Sequence, residues 1–74
     1  MSKNKSFELS VTVNGEDRNI AAGETISGLL KALGIEGGKV AVEHNRAIAP
    51  RSAYNTIQLA DGDQLEIVRF VGGG

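Results

Sequence analysis

The chain ends in Gly72-Gly73-Gly74, directly after the apolar run 67–71. This end is the part of the sequence that is best suited to take part in a reaction. Glycine loses the most conformational entropy when it is ordered and buries no side chain, so packing gives a strand no reason to end in such a tail. A tail without Cβ atoms can thread a narrow channel and carry its terminal carboxylate, on Gly74, into the active site of another protein. The sequence therefore predicts that the reactive group is the C-terminus itself.

A glycine-rich end also has an ordinary explanation, because chain ends often lack order and can be linkers. The side chains nevertheless offer little competing chemistry. There is no cysteine, and His44 is the only histidine, so we expect no metal site and a structural or solvent-facing role for His44. Asp61 and Asp63 flank a glycine without the rest of a calcium loop, which predicts a turn. No Ser–His–acid or paired-carboxylate arrangement can be argued, so the chain is interpreted as a carrier or substrate and not an enzyme.

The composition is that of one small globular domain. The 74 residues are 41% hydrophobic and 23% charged, with a net charge of −1. This charge gives no electrostatic reason to bind nucleic acid or an anionic membrane. No apolar stretch approaches the roughly 20 residues that span a bilayer, and the start lacks the apolar segment of a signal peptide. We expect a cytoplasmic protein with a disordered lead-in (1–6), a folded domain (7–71) and a flexible tail (72–74).

Apolar alternation predicts most of the strands. Residues 7–13 alternate apolar with polar, and Asn14-Gly15 then predicts a hairpin because both residues tolerate positive φ. The return strand is predicted at 18–21. Further strands are predicted at 39–45, 56–59 and 64–71, with 47–50 extended and 51–55 unassigned.

One helix is predicted between the second and third strands, from apolar residues at spacing i, i+3, i+4 and i+7. Thr25 is its expected N-cap and Gly34 its expected stop. The stripe consists of Ile26, Leu29, Leu30 and Leu33. A helix with a single apolar stripe covers one face of a small mixed sheet, which predicts an α+β roll. In such a roll the last strand pairs in parallel beside the first at the sheet centre, so the tail projects from a rigid element.

The last strand also predicts a docking patch. Leu65 and Ile67 share one face of this strand, and Val68 and Phe70 share the other with Glu66. If the first pair faces the helix, Val68 and Phe70 form an exposed apolar pair beside the tail, which is typical of a partner contact. The opposite register, or a loop that covers the pair, would remove the patch.

In its ordered set of motifs, the sequence resembles the sulfur carrier proteins of thiamine biosynthesis, a ubiquitin-like β-grasp family. The resemblance covers nearly all of the chain except the first six residues. The segments that carry it are Val13-Asn14-Gly15-Glu16, Thr25-Ile26, Leu29-Leu30, Val40-Ala41-Val42-Glu43-His44-Asn45, Ile48, Pro50-Arg51, Leu59, Asp61-Gly62-Asp63, Leu65-Glu66-Ile67-Val68 and Val71-Gly72-Gly73-Gly74.

The resemblance implies a mechanism for the C-terminus. A ubiquitin-activating-type adenylyltransferase consumes ATP to adenylate the Gly74 carboxylate, and a sulfur-donor system converts the acyl-adenylate to a thiocarboxylate. Thiazole synthase then takes the sulfur to form the thiazole ring of thiamine. Gly72 and Gly73 thread the active sites of the partners, and the carrier binds no cofactor. The family commonly ends in two glycines, so the third one here is a departure.

Several alternatives remain open at this point. The small subunit of molybdopterin synthase shares the fold and the thiocarboxylate chemistry, as do sulfur carriers for cysteine synthesis or transfer RNA thiolation. The acceptor protein distinguishes these from the thiamine carrier. A ubiquitin-like modifier joined to lysines through Gly74 and a plain interaction module are alternatives of a different class. Deletion of Gly73 and Gly74 would abolish carrier or modifier activity but leave simple binding intact.

Overall fold

The computed structural model describes residues 8–70, and within them five strands and one α-helix form a mixed sheet covered on one face. The elements are β1 (Glu8–Val13), β2 (Glu16–Ala21), α1 (Ile26–Ala32), a 3₁₀ turn (Gly37–Lys39), β3 (Val40–His44), β4 (Ala47–Ala49), a second 3₁₀ turn (Arg51–Ala53) and β5 (Gln64–Arg69). The strand order is β2-β1-β5-β3-β4. β5 runs parallel to β1 and antiparallel to β3, which confirms the predicted central position of the last strand.

The helix begins and ends where its capping residues predict. The Thr25 hydroxyl accepts a hydrogen bond from the Gly28 N–H at 3.1 Å, which satisfies one of the free donors of the first turn. At the other end Gly34 has a φ of +75°, and the Ile35 N–H donates to the Leu30 carbonyl at 2.9 Å. This pattern is a Schellman motif, which requires the left-handed backbone that glycine supplies.

The first hairpin confirms the turn at Asn14-Gly15 but starts its return strand earlier than predicted. Asn14 and Gly15 have φ values of 51° and 85°. Val13 and Glu16 already face each other as partners, so β2 begins at Glu16 and not at residue 18. A two-residue turn leaves no loop, and pairing therefore resumes at once despite the polar sequence of the return strand.

The fourth strand was predicted in the wrong place. It is not 56–59, which makes a single bridge between Gln58 and Thr25 beside the helix start, but Ala47–Ala49. The physical reason is the turn after β3, where Asn45 and Arg46 have φ values of 53° and 73°. This turn reverses the chain so tightly that Ala47 pairs with His44.

The core lies between α1 and the sheet. The helix contributes Ile26, Leu29 and Leu30, as its predicted stripe requires, and Leu33 packs partly buried at the edge. The three central strands β1, β5 and β3 contribute alternate residues, as alternation predicts, whereas β4 contributes Ala49 and β2 contributes only the partly buried Ile20. The remaining buried core residues are Val11, Val13, Val40, Val42, Ala49, Tyr54, Leu59, Leu65 and Ile67. The opposite face of the sheet, which we call the open face, carries the residues between these positions.

Candidate functional site

β5 leads directly into the predicted glycine tail. Its last residue, Arg69, pairs with Val40 on β3, and the following Phe70 N–H donates to the Lys39 carbonyl at 3.1 Å. The predicted sulfur-bearing Gly74 and the threading residues Gly72 and Gly73 lie outside the described residues. The boundaries predicted for the lead-in and the tail lie outside them too, so these predictions stand untested. The structure describes the strand that precedes the tail and what holds this strand in place.

Asn14 extends the pairing between β1 and β5 with its side chain. The Asn14 N–H donates to the Leu65 carbonyl at 2.9 Å, after which β1 has ended. The Asn14 side chain then accepts the Ile67 N–H at 2.7 Å and donates to the Ile67 carbonyl at 3.3 Å. A side-chain amide thus supplies the donor and acceptor that a further strand residue would have offered.

Asn45 holds the beginning of β5 in a related way from the β3 side. Its Oδ1 accepts the Gln64 N–H at 2.8 Å, and its own N–H donates to the Gln64 carbonyl at 2.8 Å. Asn14 and Asn45 both adopt positive φ, which asparagine tolerates better than most residues. The last strand is therefore fixed at its beginning by Asn45, in the turn after β3, and at its middle by Asn14, in the turn after β1.

A hydrogen-bonded cluster around Asp63 fixes the turn before β5. Asp63 is buried, and its carboxylate accepts from His44 Nε2 at 2.7 Å, Asn45 Nδ2 at 3.1 Å and the Ala60 N–H at 2.9 Å. Burial raises the pKa of Asp63, but the hydrogen bonds from His44, Ala60 and Asn45, with the charge of His44, outweigh it and lower the pKa below its usual range. The predicted turn is confirmed, with Gly62 at a φ of +87°, and so is the structural role expected of His44.

The predicted register of β5 is confirmed. Leu65 and Ile67 are buried under the helix, whereas Val68 and Phe70 are 56% and 61% exposed. Within residues 8–70 no loop covers the latter pair, so the apolar side chains predicted as a docking patch are accessible.

Ile48 is a member of the exposed apolar surface that sequence reasoning missed. It is 74% exposed and lies opposite Glu43, on the same face as Val68. The signal was the alternation of Ile48 with the buried Ala49, but a strand of three residues is too short to fix which face is inward. The tight turn at Asn45 and Arg46 decides which residues of this strand face the core.

Two further observations concern metal ligands and membrane-spanning helices in the described residues. Between residues 8 and 70 no three His, Asp or Glu side chains are grouped so that they could hold a metal ion. In the same part of the chain no helix has the length and apolar character needed to cross a bilayer.

The chain resembles known proteins both in sequence and in structure. Residues 11–74 match the model of the ThiS family. The chain is 44% identical over 50 residues to the sulfur carrier protein ThiS of Bacillus subtilis, an alignment that covers 68% of this chain and 76% of that protein. It superimposes on the crystal structure of the thiamine biosynthesis protein ThiS from Geobacter metallireducens with a TM-score of 0.77 and 33% identity, covering 89% of this chain and 100% of the other.

Longer proteins also contain a related segment. The chain is 48% identical over 66 residues to a thiazole synthase of Paramagnetospirillum magneticum, an alignment that covers 89% of this chain but 20% of that protein. A thiazole synthase of Magnetococcus marinus shows 46% identity with the same coverage. The chain thus spans about a fifth of the length of these two relatives.

Proposed function

Because the chain belongs to the ThiS family of sulfur carrier proteins, whose fold is the β-grasp, we propose that it carries sulfur for thiamine biosynthesis as a thiocarboxylate on Gly74. It acts as the substrate of partner enzymes and supplies no catalytic side chain of its own. The cytoplasm, where ATP is available to the activating partner, is the proposed location.

The proposed chemistry solves the problem that a carboxylate is a poor electrophile. An oxygen of the Gly74 carboxylate attacks the α-phosphorus of ATP bound to an adenylyltransferase, and pyrophosphate leaves. The sulfur of a donor then attacks the acyl carbon, and AMP leaves with one original carboxylate oxygen. With hydrosulfide as the donor, loss of its proton leaves a thiocarboxylate, which holds sulfur without a cysteine, in agreement with a sequence that has none.

The observation that carries this proposal is the position of β5. The strand lies between β1 and β3, and Asn14 and Asn45 bond its backbone as well. Residues 72–74 follow from this fixed strand, and a glycine segment on a rigid base combines reach with a defined starting point. In this proposal Gly72 and Gly73 occupy the channels of the partners, and Val68 and Phe70 contact the partner surface beside those channels.

The relatives support thiazole synthase as the sulfur acceptor. Two proteins named thiazole synthase contain a segment that is nearly half identical to this chain within a much longer polypeptide. A carrier segment joined to its acceptor would deliver the thiocarboxylate at high effective concentration. We propose the same association for this chain, with the Gly74 carboxylate free to be adenylated.

The test is the intact mass of the 74-residue chain after incubation with ATP, a sulfide source and a thiamine-pathway adenylyltransferase. We expect a gain equal to sulfur replacing one oxygen, and no gain when Gly74 is deleted. Subsequent addition of thiazole synthase with its other substrates should restore the original mass. No gain with an enzyme that activates its own carrier would contradict the proposal, and sulfur transfer only to a molybdopterin synthase large subunit would assign the chain to that pathway.

A further inference from the structure

We infer that the open face of the sheet binds a protein whose contacting surface is apolar and carries a basic side chain at its edge, held between Glu43 and Glu66. The inference deepens the proposed function, on which it rests for the identity of the partner, the adenylyltransferase. It adds a charge requirement to the apolar contact and assigns it to two residues.

The apolar part of this surface is a continuous patch across three strands. The large hydrophobic side chains exposed among residues 8–70 are Ile48, Val68 and Phe70, and Val68 lies opposite the half-buried Ala41 on β3. Ile48 is diagonal to Ala41 in the register, so the four residues are neighbours on one face. We call Ala41, Ile48, Val68 and Phe70 the open-face patch. A patch of this kind, on the side of the sheet away from the helix, is typical of an interaction surface.

Two carboxylates lie side by side at the edge of the open-face patch. Glu43 on β3 and Glu66 on β5 are direct cross-strand partners, and both are exposed. Directly opposed residues have Cβ atoms about 4.5–5.5 Å apart, and like charges at that distance destabilise a sheet. Within residues 8–70 neither carboxylate forms an ion pair. Arg46 is the basic residue that lines the same groove.

The groove beside these carboxylates has room for a side chain from outside. It has a volume of about 630 Å³ and is lined by Thr12, Gly15, Glu43, Arg46, Gln64, Leu65 and Glu66. A lysine or arginine inserted there would turn the repulsion between Glu43 and Glu66 into two attractions. Charge complementarity therefore selects a basic side chain as the occupant.

The same charges select a protein over other partners. Nucleic acid and anionic phospholipid surfaces are repelled by a face that carries two adjacent carboxylates. The patch is also continuous with the predicted reactive end, because Phe70 is followed by Val71 and the glycines. An enzyme that takes the tail into its active site meets the open-face patch next to its entrance.

The test compares two charge-removing double variants by calorimetric titration against the adenylyltransferase at low and at near-physiological ionic strength. Glu43→Gln with Glu66→Gln removes the opposed pair, and Glu16→Gln with Glu36→Gln removes the same charge from exposed positions off the open face. We expect the first variant to raise Kd about tenfold at low salt and to flatten the salt dependence, while the control changes Kd less than about twofold.

Thermal stability separates this role from a structural one. Removal of a repulsive pair should leave Tm unchanged or raise it, so the variant should bind more weakly while being at least as stable. Glu43→Lys sharpens the contrast, since it creates an attractive pair with Glu66 that should raise Tm by a few degrees and weaken binding further. If the Glu43→Gln, Glu66→Gln double variant and Glu43→Lys both bound the enzyme with the wild-type Kd, the inference would be overturned.

The outcomes also separate this inference from the proposed function. Charge-dependent binding without a mass gain on Gly74 would contradict the carrier function but support the docking inference. A mass gain on Gly74, together with a Kd that does not change when Glu43 and Glu66 are replaced, would support the carrier function and contradict the docking inference. Binding of the wild type to anionic vesicles in preference to the enzyme, or failure of the wild type to bind the enzyme at all, would overturn the inference.

Discussion

The side-chain amide of Asn14 pairs with the backbone of Ile67 in both directions, as acceptor at 2.7 Å and as donor at 3.3 Å. The contact joins the turn of the first hairpin to the middle of the last strand, a separation of 53 residues. It lies where β1 has ended but β5 continues. The Ile67 backbone therefore has a partner on both sides, Val42 on β3 and the Asn14 side chain, although β1 is too short to provide the second one.

Asn14→Gly tests this contact, because glycine keeps the positive φ of 51° and removes only the side chain. We expect the free energy of unfolding to fall by about 1–2 kcal/mol, the combined value of two modest hydrogen bonds, and hydrogen exchange at the Ile67 N–H to accelerate. Urea denaturation and amide exchange by NMR measure these two effects.

Asn14→Asp is the matched variant for the same position. It keeps an oxygen to accept the Ile67 N–H but loses the donor to the Ile67 carbonyl, so exchange at Ile67 should stay slow while stability falls. If Asn14→Gly is as stable as the wild type and protects Ile67 equally, the side-chain pairing contributes nothing.

Asp63→Asn should make the domain less stable near neutral pH and less sensitive to acid. The pKa of Asp63 is lowered in the folded state, so its charged form stabilises the fold above the unfolded pKa of about 3.9. That contribution is lost as pH falls through the lower folded value. We expect a loss of about 1–3 kcal/mol for the variant near neutral pH and convergence with the wild type below the folded pKa.

Asp61→Asn is the control for this experiment, since Asp61 is exposed in the same turn and accepts a single hydrogen bond from the Ser10 N–H. Urea midpoints measured across the acidic range give the comparison. A constant difference between Asp63→Asn and wild type at every pH would show that the carboxylate charge is irrelevant to the cluster.

Val68→Asp and Phe70→Asp should each slow adenylation of the chain at least about tenfold in kcat/KM while shifting Tm by only a few degrees. Both side chains are largely exposed, so a charge there disturbs a partner contact more than the fold. Asn19→Asp is the control, since it adds the same charge on the open face but at an exposed position of the edge strand β2. It should leave adenylation unchanged. A large fall in Tm for Val68→Asp or Phe70→Asp would show that the side chain at that position stabilises the fold and is not mainly a docking contact.

Gly73→Val should slow adenylation without any change in Tm, because a β-branched side chain widens the predicted tail and stiffens its backbone. Gly73→Ala adds the smallest side chain and should produce a smaller defect. Steady-state adenylation kinetics and thermal melts are the two measurements. Equal rates for Gly73→Val and wild type would remove the argument that the tail threads a narrow channel.

Much of the fold could be predicted because several independent signals agreed at each element. Alternation fixed β1 and β5, and the stripe with Thr25 and Gly34 fixed α1. The family resemblance was confirmed by the match over residues 11–74 and by the ThiS structure. The sequence left two registers open for β5, and the structure has the one in which Leu65 and Ile67 face the helix.

The fourth strand was misplaced because a turn without glycine decided the path of the chain there. Asn45-Arg46 gives no strong hairpin signal, yet both residues adopt positive φ and place β4 at Ala47–Ala49. The side-chain bonds of Asn14 and Asp63 were missed for a different reason. The bonds of Asn14 to Ile67 and of Asp63 to His44 and Asn45 join residues far apart in the sequence, and no local pattern reports which group a side-chain amide or carboxylate will reach.

The central position of β5 has a consequence for synthesis of the protein. Because β5 separates β1 from β3, a nascent chain still lacking residues 64–69 cannot close its sheet on the ribosome, however much of it has emerged. A polypeptide that breaks off early has neither its middle strand nor the residues that follow it. Folding itself thus distinguishes chains that contain residues 64–69 from chains that lack them, and in the proposed function only the former present a complete open face to an activating enzyme.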